Sequence, residues 1–172
     1  MVLLPYAEED LPLTAELETD PEVMAELGGS TPEEEIPRVH RKRMGRNGPG
    51  DQWLKIVPEG DGPAVGVIGI WPASWQGSPI HEAGWMILPR FQGQGYARRA
   101  LAELLTAARD GPGLDSVHAF PGVTNLPSNS LCRAAGFELI EGDVAVEYAG
   151  RELRCNHWAV ELSPTYPLTR WC

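Results

Sequence analysis

The stretch Trp85-Met86-Ile87-Leu88-Pro89-Arg90-Phe91-Gln92-Gly93-Gln94-Gly95-Tyr96-Ala97 decides the fold, because it leads from a β-rich segment through two glycines into the strongest helical pattern of the chain. Gly93 and Gly95 let the backbone approach a ligand closely, and the first N–H groups of the following helix lack partners within it. Such a turn binds an anion, most naturally a phosphate or pyrophosphate, with support from the positive end of the helix dipole. Arg98 and Arg99 stand in the first turn, where the dipole disfavours cations, and a nearby polyanion accounts for them.

Working outward, Gln52 to Val57, Ala64 to Trp71 and Ile80 to Leu88 are β-rich runs between Gly and Pro clusters, which predicts a meander of three antiparallel strands. Downstream, Tyr96 to Ala108 is rich in Ala, Leu, Arg and Glu, and Asp110-Gly111-Pro112-Gly113 stops this helix. Ser116 to Phe120 reads as a short strand and Ser128 to Ala135 as a helix closed by Gly136. Phe137 to Tyr148 and Arg151 to Leu162 then form a hairpin about Ala149-Gly150. Upstream, Met1 to Tyr6 fits a strand, while Glu8 to Leu17 is too mixed to assign. Asp20-Pro21-Glu22 opens a helix that runs to Leu27 before Gly28-Gly29. Thr31-Pro32-Glu33-Glu34 reads as a capping box for a second helix, which Pro37 kinks or delays and which ends in the basic run Arg38 to Arg46. The order predicts an α+β fold in a single domain, residues 1–172. Its sheet is mixed, mostly antiparallel, has about six or seven strands and is flanked by helices.

The 172 residues carry 42% hydrophobic and 22% charged side chains, which describes a globular chain and excludes disorder and collagen. The net charge of -10 is uneven: residues 1–35 hold eleven acids and no Lys or Arg, whereas the rest holds thirteen acids and fourteen bases. A broad basic face for nucleic acid is therefore excluded. Cys132, Cys155 and Cys172 form no CxxC pair, and no secretory signal or membrane-spanning run is evident, so the expected setting is a reducing cytoplasm. Twelve Arg against two Lys, with 19 Gly and 16 Pro, fits a GC-rich bacterial genome. His40, His81, His118 and His157 show no ligand spacing, so no metal is expected.

Two familiar phosphate loops fail here on context. Neither Lys42 nor Lys55 lies in a P-loop setting. A dinucleotide fingerprint needs Gly or Ala where Arg98 stands, and its strand belongs to a parallel βαβ unit. A third reading comes from resemblance. Arg90-Phe91-Gln92-Gly93-Gln94-Gly95 is similar to the Arg/Gln-x-x-Gly-x-Gly/Ala acetyl-CoA signature of the GNAT superfamily of N-acetyltransferases. Asn125-Leu126-Pro127-Ser128-Asn129, followed by Gly136-Phe137, resembles the family's second block, especially in the Rim-type ribosomal-protein N-terminal acetyltransferases. Val144-Ala145-Val146-Glu147-Tyr148 resembles the closing hairpin of that branch, so the likeness spans roughly residues 80 to 162.

The resemblance implies direct transfer of an acetyl group from acetyl-CoA to a primary amine, either a protein N-terminus or a cationic small molecule. It places the pyrophosphate on the backbone of Gly93, Gln94, Gly95, Tyr96 and Ala97, beside Arg90, Gln92 and Arg98. The pantetheine arm lies along Met86, Ile87 and Leu88, with an N–H near Ile87 or Leu88 facing the thioester oxygen and with contacts from Asn125 and Ser128. For the acid and base, the Rim-type pattern carries over to Ser128 and Glu147, and Glu82 is the other base candidate. The tyrosine acid of many family members is replaced by Cys132, which keeps open a catalytically weak acyl-CoA-binding or interaction module; because the loop reads the CoA phosphates and not the acyl group, transfer from another acyl-CoA such as succinyl-CoA is open as well. Structural roles compete for several of these residues. Ser128 suits an N-cap, Glu147 a solvated strand position, Cys132 a buried helix position, and Trp71, Trp75 and Trp85 ordinary packing. The expected partners are acetyl-CoA and an amine, with neither nucleic acid nor membrane, in a monomer or homodimer. The acidic N-terminal helices are expected to border the acceptor cleft, away from the phosphates, and to draw in a cation through Glu16, Glu18, Asp20 and Glu22.

Overall fold

Alternation along the middle strands gives the sheet two different faces, and the helices divide between them. A computed structural model describes residues 1–162 apart from Gly60, Asp61, Pro112 and Ala149. Strand β1 (Val2–Pro5) is followed by a 3-10 turn and the helices α1 (Leu11–Thr19), α2 (Pro21–Met24) and α3 (Ile36–Met44). Then come β2 (Asn47–Gly48), β3 (Asp51–Val57), β4 (Gly66–Trp75), β5 (Ser78–Ile87), α4 (Tyr96–Asp110), β6 (Ser116–Ala119), α5 (Leu126–Ala134), β7 (Glu138–Tyr148) and β8 (Arg151–Glu161). Seven strands lie in the order β1-β3-β4-β5-β6-β8-β7, and the two-residue β2 pairs with β3. Every pairing is antiparallel except that of β5 with β6.

One face carries Ile68, Ile70, Ala83, Ile87, Val117, Trp158 and Val160 against Leu101, Leu104 and Leu105 of α4 and Cys132 of α5. The intervening residues Val67, Met86 and Leu88 meet Tyr6, Leu17 and Met24 on the other face, under the N-terminal helices. Strand β5 thus packs on both sides, as a central strand must. It also sends Glu82 and Gly84 to the same face as Met86.

The single parallel pairing positions the site. Glu82 stands opposite His118, after which β6 ends at Ala119 while β5 continues to Ile87. The strands part there. Among the described residues, the β5 edge from Ala83 to Ile87 has no neighbouring strand on the β6 side.

Several boundaries differ from the sequence reading for identifiable reasons. Thr31 does not cap α3; its hydroxyl donates to Glu18 Oε2 at 2.6 Å, and a 3-10 turn over Glu33–Glu35 leads into a helix with Pro37 in its first turn, where the missing N–H is harmless. The unassigned segment Glu8 to Leu17 resolves into a 3-10 turn over Glu8–Asp10 and then α1, with Pro12 in its first turn. Asp20 does cap α2, accepting from the N–H groups of Glu22 and Val23 at 2.8 and 3.0 Å. The cap of α5 is Asn125, and Ser128 is the residue whose N–H it accepts, at 3.1 Å. Pro112 in the α4 stop signal, Ala149 in the hairpin turn and Cys172 lie outside the described residues.

Candidate active site

The loop after β5 is built to leave backbone N–H groups facing outward. Gly93 and Gly95 have φ of 71° and 78°, a region in which a β-carbon is strained, and added β-carbons there would meet nothing within 4 Å. The residues from Gln92 to Gly95 are exposed. The first helical bond of α4 runs from Arg99 N–H to Gly95 O at 3.1 Å, so the preceding amides lie outside the helical ladder. Two glutamines brace this turn from within: Gln92 Nε2 donates to Ile87 O at 3.0 Å and Gln94 Nε2 to Arg90 O at 3.2 Å. Their side chains therefore shape the loop. Arg90 lies over the Phe91 ring and is ion-paired with Glu16 of α1.

The open β5 edge leads into this loop. Leu88 N–H already donates to Val65 O at 3.0 Å, which removes it as a thioester oxygen donor. Alternation then turns the Ile87 amide to the opposite side, towards the parted edge, where its carbonyl meets Gln92. An unpaired strand edge presents N–H and C=O groups at strand spacing, a match for an extended ligand that itself carries amides.

Glu82 sits where the strands part. Burial raises its carboxyl to a pKa of about 7, partly offset by a hydrogen bond with the Trp71 side chain, which favours the charged form. Around it on the same face are Trp71, its cross-strand partner, and Cys155 and Tyr148 from the hairpin. Burial and the Glu82 and Glu26 carboxylates push the Cys155 thiol up to about 11. Tyr148 is exposed as a residue, at 39%, but loss of solvent around its hydroxyl raises that group, with Glu18 and Glu82 adding to the shift and Arg43 opposing it. Tyr148 is a residue the sequence reading passed over. Its signal was only its place at the end of β7, level with Arg151 of β8.

The N-terminal segment closes over this face. Thr124 Oγ1 donates to Glu26 Oε2 at 2.8 Å, and Glu26 packs so closely on Gly122 that a β-carbon there would lie 2.6 Å from its carboxylate. Gly28 packs on Arg151 and Leu153 of β8. The segment after α2 thus spans the gap between α1 and the β6–α5 loop.

The structure separates the remaining predicted residues. Glu147 is exposed and pairs with Glu152, on the face of the hairpin opposite Tyr148, Leu153 and Cys155; it does not join Glu82. Cys132 is fully buried in the core, and burial pushes its thiol up to about 12. Ser128 is half-buried in the first turn of α5, next to Asn125. Trp85 packs in the core with α4, whereas Trp71 lies on the Glu82 face.

The acidic N-terminus is less free than its charge implied. Glu18 is buried against Arg43, Asp20 caps α2, and Glu16 pairs with Arg90 at the loop after β5. Asp10 pairs with Lys55 at 2.8 Å. Arg43, read as one charge of a helix terminus, is buried. His118 Nδ1 and His157 Nε2 lie 2.8 Å apart in an aromatic stack with Phe120. Burial lowers both imidazoles, which favours the neutral rings. Among the described residues no group of three or more His, Cys, Asp or Glu side chains is arranged to hold a metal, and no helix is long and apolar enough to cross a membrane.

Comparison with known proteins agrees with this geometry. A search of curated proteins found no match. A GNAT-family acetyltransferase structure from Bacillus anthracis superposes with a TM-score of 0.77 at 20% identity, covering 93% of each chain. Spermidine N-acetyltransferase from Vibrio cholerae, in complex with CoA and spermine, gives 0.76 at 19% identity over 94% of this chain and 95% of that one. Ribosomal-protein-alanine N-acetyltransferase from Brucella melitensis gives 0.73 at 23% identity over 94% and 99%. At these identities the likeness is one of fold. The model of the acetyltransferase (GNAT) domain matches residues 1–138, and the chain therefore belongs to the GNAT acetyltransferase family.

Proposed function

We propose that this acyltransferase moves an acetyl group from acetyl-CoA directly to the primary amine of a small cationic acceptor, with Glu82 as the base. The observation that carries the reading is the half-buried Glu82 carboxyl, with a pKa of about 7, on the one strand that also supplies the open edge and the phosphate loop. A base of that pKa is divided between its two forms at neutral pH, where it accepts a proton and returns it at comparable cost.

The parts then have distinct tasks. Amides of residues 93–97 hold the pyrophosphate, the Ala83–Ile87 edge aligns the pantetheine arm, and Asn125 and Ser128 border it from α5. The Ile87 N–H lies where the thioester oxygen gains negative charge during attack. The amine nitrogen bonds to the carbonyl carbon and gives its proton to Glu82. The carbon–sulfur bond then breaks, and the CoA thiolate takes a proton from the Ser128 hydroxyl, which solvent restores.

A small acceptor is favoured over a protein N-terminus by the bridge above Glu82. Contacts of Glu26 with Thr124 and of Gly28 with Arg151 bring the N-terminal segment onto this face, and carboxylates with Trp71 and Tyr148 suit an ammonium group on a short chain. Thiol release from acetyl-CoA and succinyl-CoA, measured across polyamines, aminoglycosides, amino-acid amides and peptides with free N-termini, tests this. Stimulation by small cationic amines with acetyl-CoA is expected. Stimulation by peptides alone would assign the acceptor to protein N-termini, and slow hydrolysis with no acceptor effect would remove the transferase reading of this site.

A further inference from the structure

We propose that Asn129 is the positioning residue for the first turn of α5, and through that turn for Asn125 and Ser128 beside the acyl-CoA arm. This rests on the reading of Asn125 and Ser128 as a border of the pantetheine site. Its basis is a buried amide with every hydrogen-bonding group of its side chain engaged. Asn129 Nδ2 donates to Gly122 O at 2.9 Å and to Asn125 O at 2.8 Å, while Oδ1 accepts from Asn156 Nδ2 at 2.8 Å and from Trp158 Nε1 at 2.9 Å. Carbonyl oxygens only accept and an indole N–H only donates, so these partners admit one orientation of the amide.

The four bonds join segments that the backbone leaves separate. The loop before α5 lies along β8, where Asn156 N–H donates to Pro121 O at 2.8 Å and Val123 N–H to Arg154 O at 3.0 Å. Past Val123 the chain turns away from β8 into α5. Asn129 ties that turn back: its NH2 group holds the Gly122 carbonyl of the loop and the Asn125 carbonyl of the helix cap, and its oxygen holds β8. The line continues outward, because Asn156 Oδ1 accepts from the Asp143 N–H at 3.1 Å in the bulged part of β7, where Asp143 has φ of 58°. A single file of amides thus runs from the β7 bulge to the helix turn.

The turn it holds is a small unit. Asn125 Oδ1 accepts from the Ser128 N–H at 3.1 Å, and Asn129 N–H donates to Asn125 O at 3.0 Å, so Asn125, Ser128 and Asn129 move together. Asn129 is 9% exposed and grips this unit from its buried side. A residue that only filled the space would need no polar group, and a buried amide is costly unless it is paired. Four directional bonds instead set the rotation of the turn, and with it where Asn125 and Ser128 stand relative to the parted strands.

The test compares two ligands by calorimetry on the full chain: acetyl-CoA, and the adenine nucleotide of CoA that keeps all of the phosphates and lacks the pantetheine arm. Asn129→Asp keeps the oxygen towards β8 and sets a second oxygen against two carbonyls, which releases the turn. Acetyl-CoA should bind about three- to tenfold more weakly, the cost of ordering freed groups on binding, while the nucleotide stays within about 1.5-fold of native. Through the displaced Ser128, kcat should fall about tenfold, with KM for the amine within about twofold. A general loss of stability would move both ligands together. Asn156→Ala cuts the same line at a half-buried position and should shift the ratio of the two affinities about two- to threefold, which decides the matter if Asn129→Asp does not fold. A ratio within about 1.5-fold of native in the folded variant overturns the proposal. Asn125→Ala then separates the two readings: a lowered ratio there keeps Asn125 at the arm and removes only the role of Asn129, whereas a native ratio removes the arm reading and this proposal with it.

Discussion

The phosphate loop and the acceptor face differ in how they are encoded. The loop is contiguous: thirteen consecutive residues, Trp85 to Ala97, hold the strand end, both positive-φ glycines and the first helical turn. The proposed acceptor face collects Trp53, Trp71, Glu82, Tyr148 and Cys155 from β3, β4, β5, β7 and β8 through strand register, and Arg43 from α3 by its packing over Trp53. In the proposed reading backbone amides hold a phosphate that is common to every acyl-CoA, and local geometry suffices for that task. Choosing an amine and a proton path needs side chains from several strands. The comparison predicts that changes in the two regions separate kinetically.

The largest expected effect is on the acceptor side. Glu82→Gln should lower kcat by about 10²- to 10⁴-fold, the usual contribution of a general base, with acetyl-CoA affinity by calorimetry nearly unchanged. A comparable loss of acetyl-CoA affinity would merge the two regions into one.

The same substitution should also stabilise the fold, with a pH dependence whose sign is fixed. Glu82 is raised from 4.5 to about 7, so between those values the folded chain holds a proton that the unfolded chain has lost. Stability from this group therefore falls as pH rises through that window and is flat above it. Relative to native, Glu82→Gln should gain stability from pH 4.5 upward, approaching a limit on the order of 3 kcal/mol above pH 7 in urea unfolding. A gain that does not vary with pH would show that packing, not ionisation, is responsible. The lowered His118 and His157 act in the opposite sense, because their neutral folded forms cost stability as pH falls below about 6.5, which is why the comparison is made against native at each pH.

On the loop side, Gly95→Val should weaken acetyl-CoA binding by about 10- to 100-fold. A β-branched residue at φ 78° costs roughly 1–2 kcal/mol, and its side chain intrudes on the amides. Turnover at saturating acetyl-CoA should change far less. Equal losses in both would show that the loop also sets the reacting geometry.

The contrast also explains what was legible in the sequence. The succession of elements from β3 onward, α4 and the glycine loop follow from periodicity and local turn chemistry, and Asp20 caps its helix as its type predicts. Where two neighbouring residue types suit one local role, the sequence misleads: it offers Ser128 as the cap of α5, and the cap is Asn125, three residues earlier. Facing is harder still. Glu147 and Tyr148 are adjacent, yet bulges in β7 and its register with β8 send Tyr148 towards Glu82 and Glu147 outward, and neither is visible in the residue pattern. Arg43 stands in a basic run that reads as a solvated helix end; its burial depends on Glu18, 25 positions earlier. The glycine row beneath the stacked Trp53 and Trp71 indoles required the pairing of three strands at once; Gly69 and Gly84, as interior strand glycines, were a local signal that the sequence reading did not use.

The smallest expected effect lies at the junction of the two regions, where Glu16 of α1 holds Arg90 of the phosphate loop. Both side chains are about half exposed, at 46% and 53%, so the pair adds little to stability, and Glu16→Gln should leave the unfolding midpoint nearly unchanged. Its effect on binding should be favourable. The substitution removes a carboxylate beside a polyanion site and releases a guanidinium suited to bidentate phosphate contact. Acetyl-CoA affinity should therefore rise about two- to fivefold at low ionic strength, and the gain should vanish in concentrated salt, where exposed charges are screened. A loss of affinity that persists in high salt would assign the pair the reverse role, a brace that holds the loop open, and would make α1 part of the cofactor side of the molecule instead of the acceptor side.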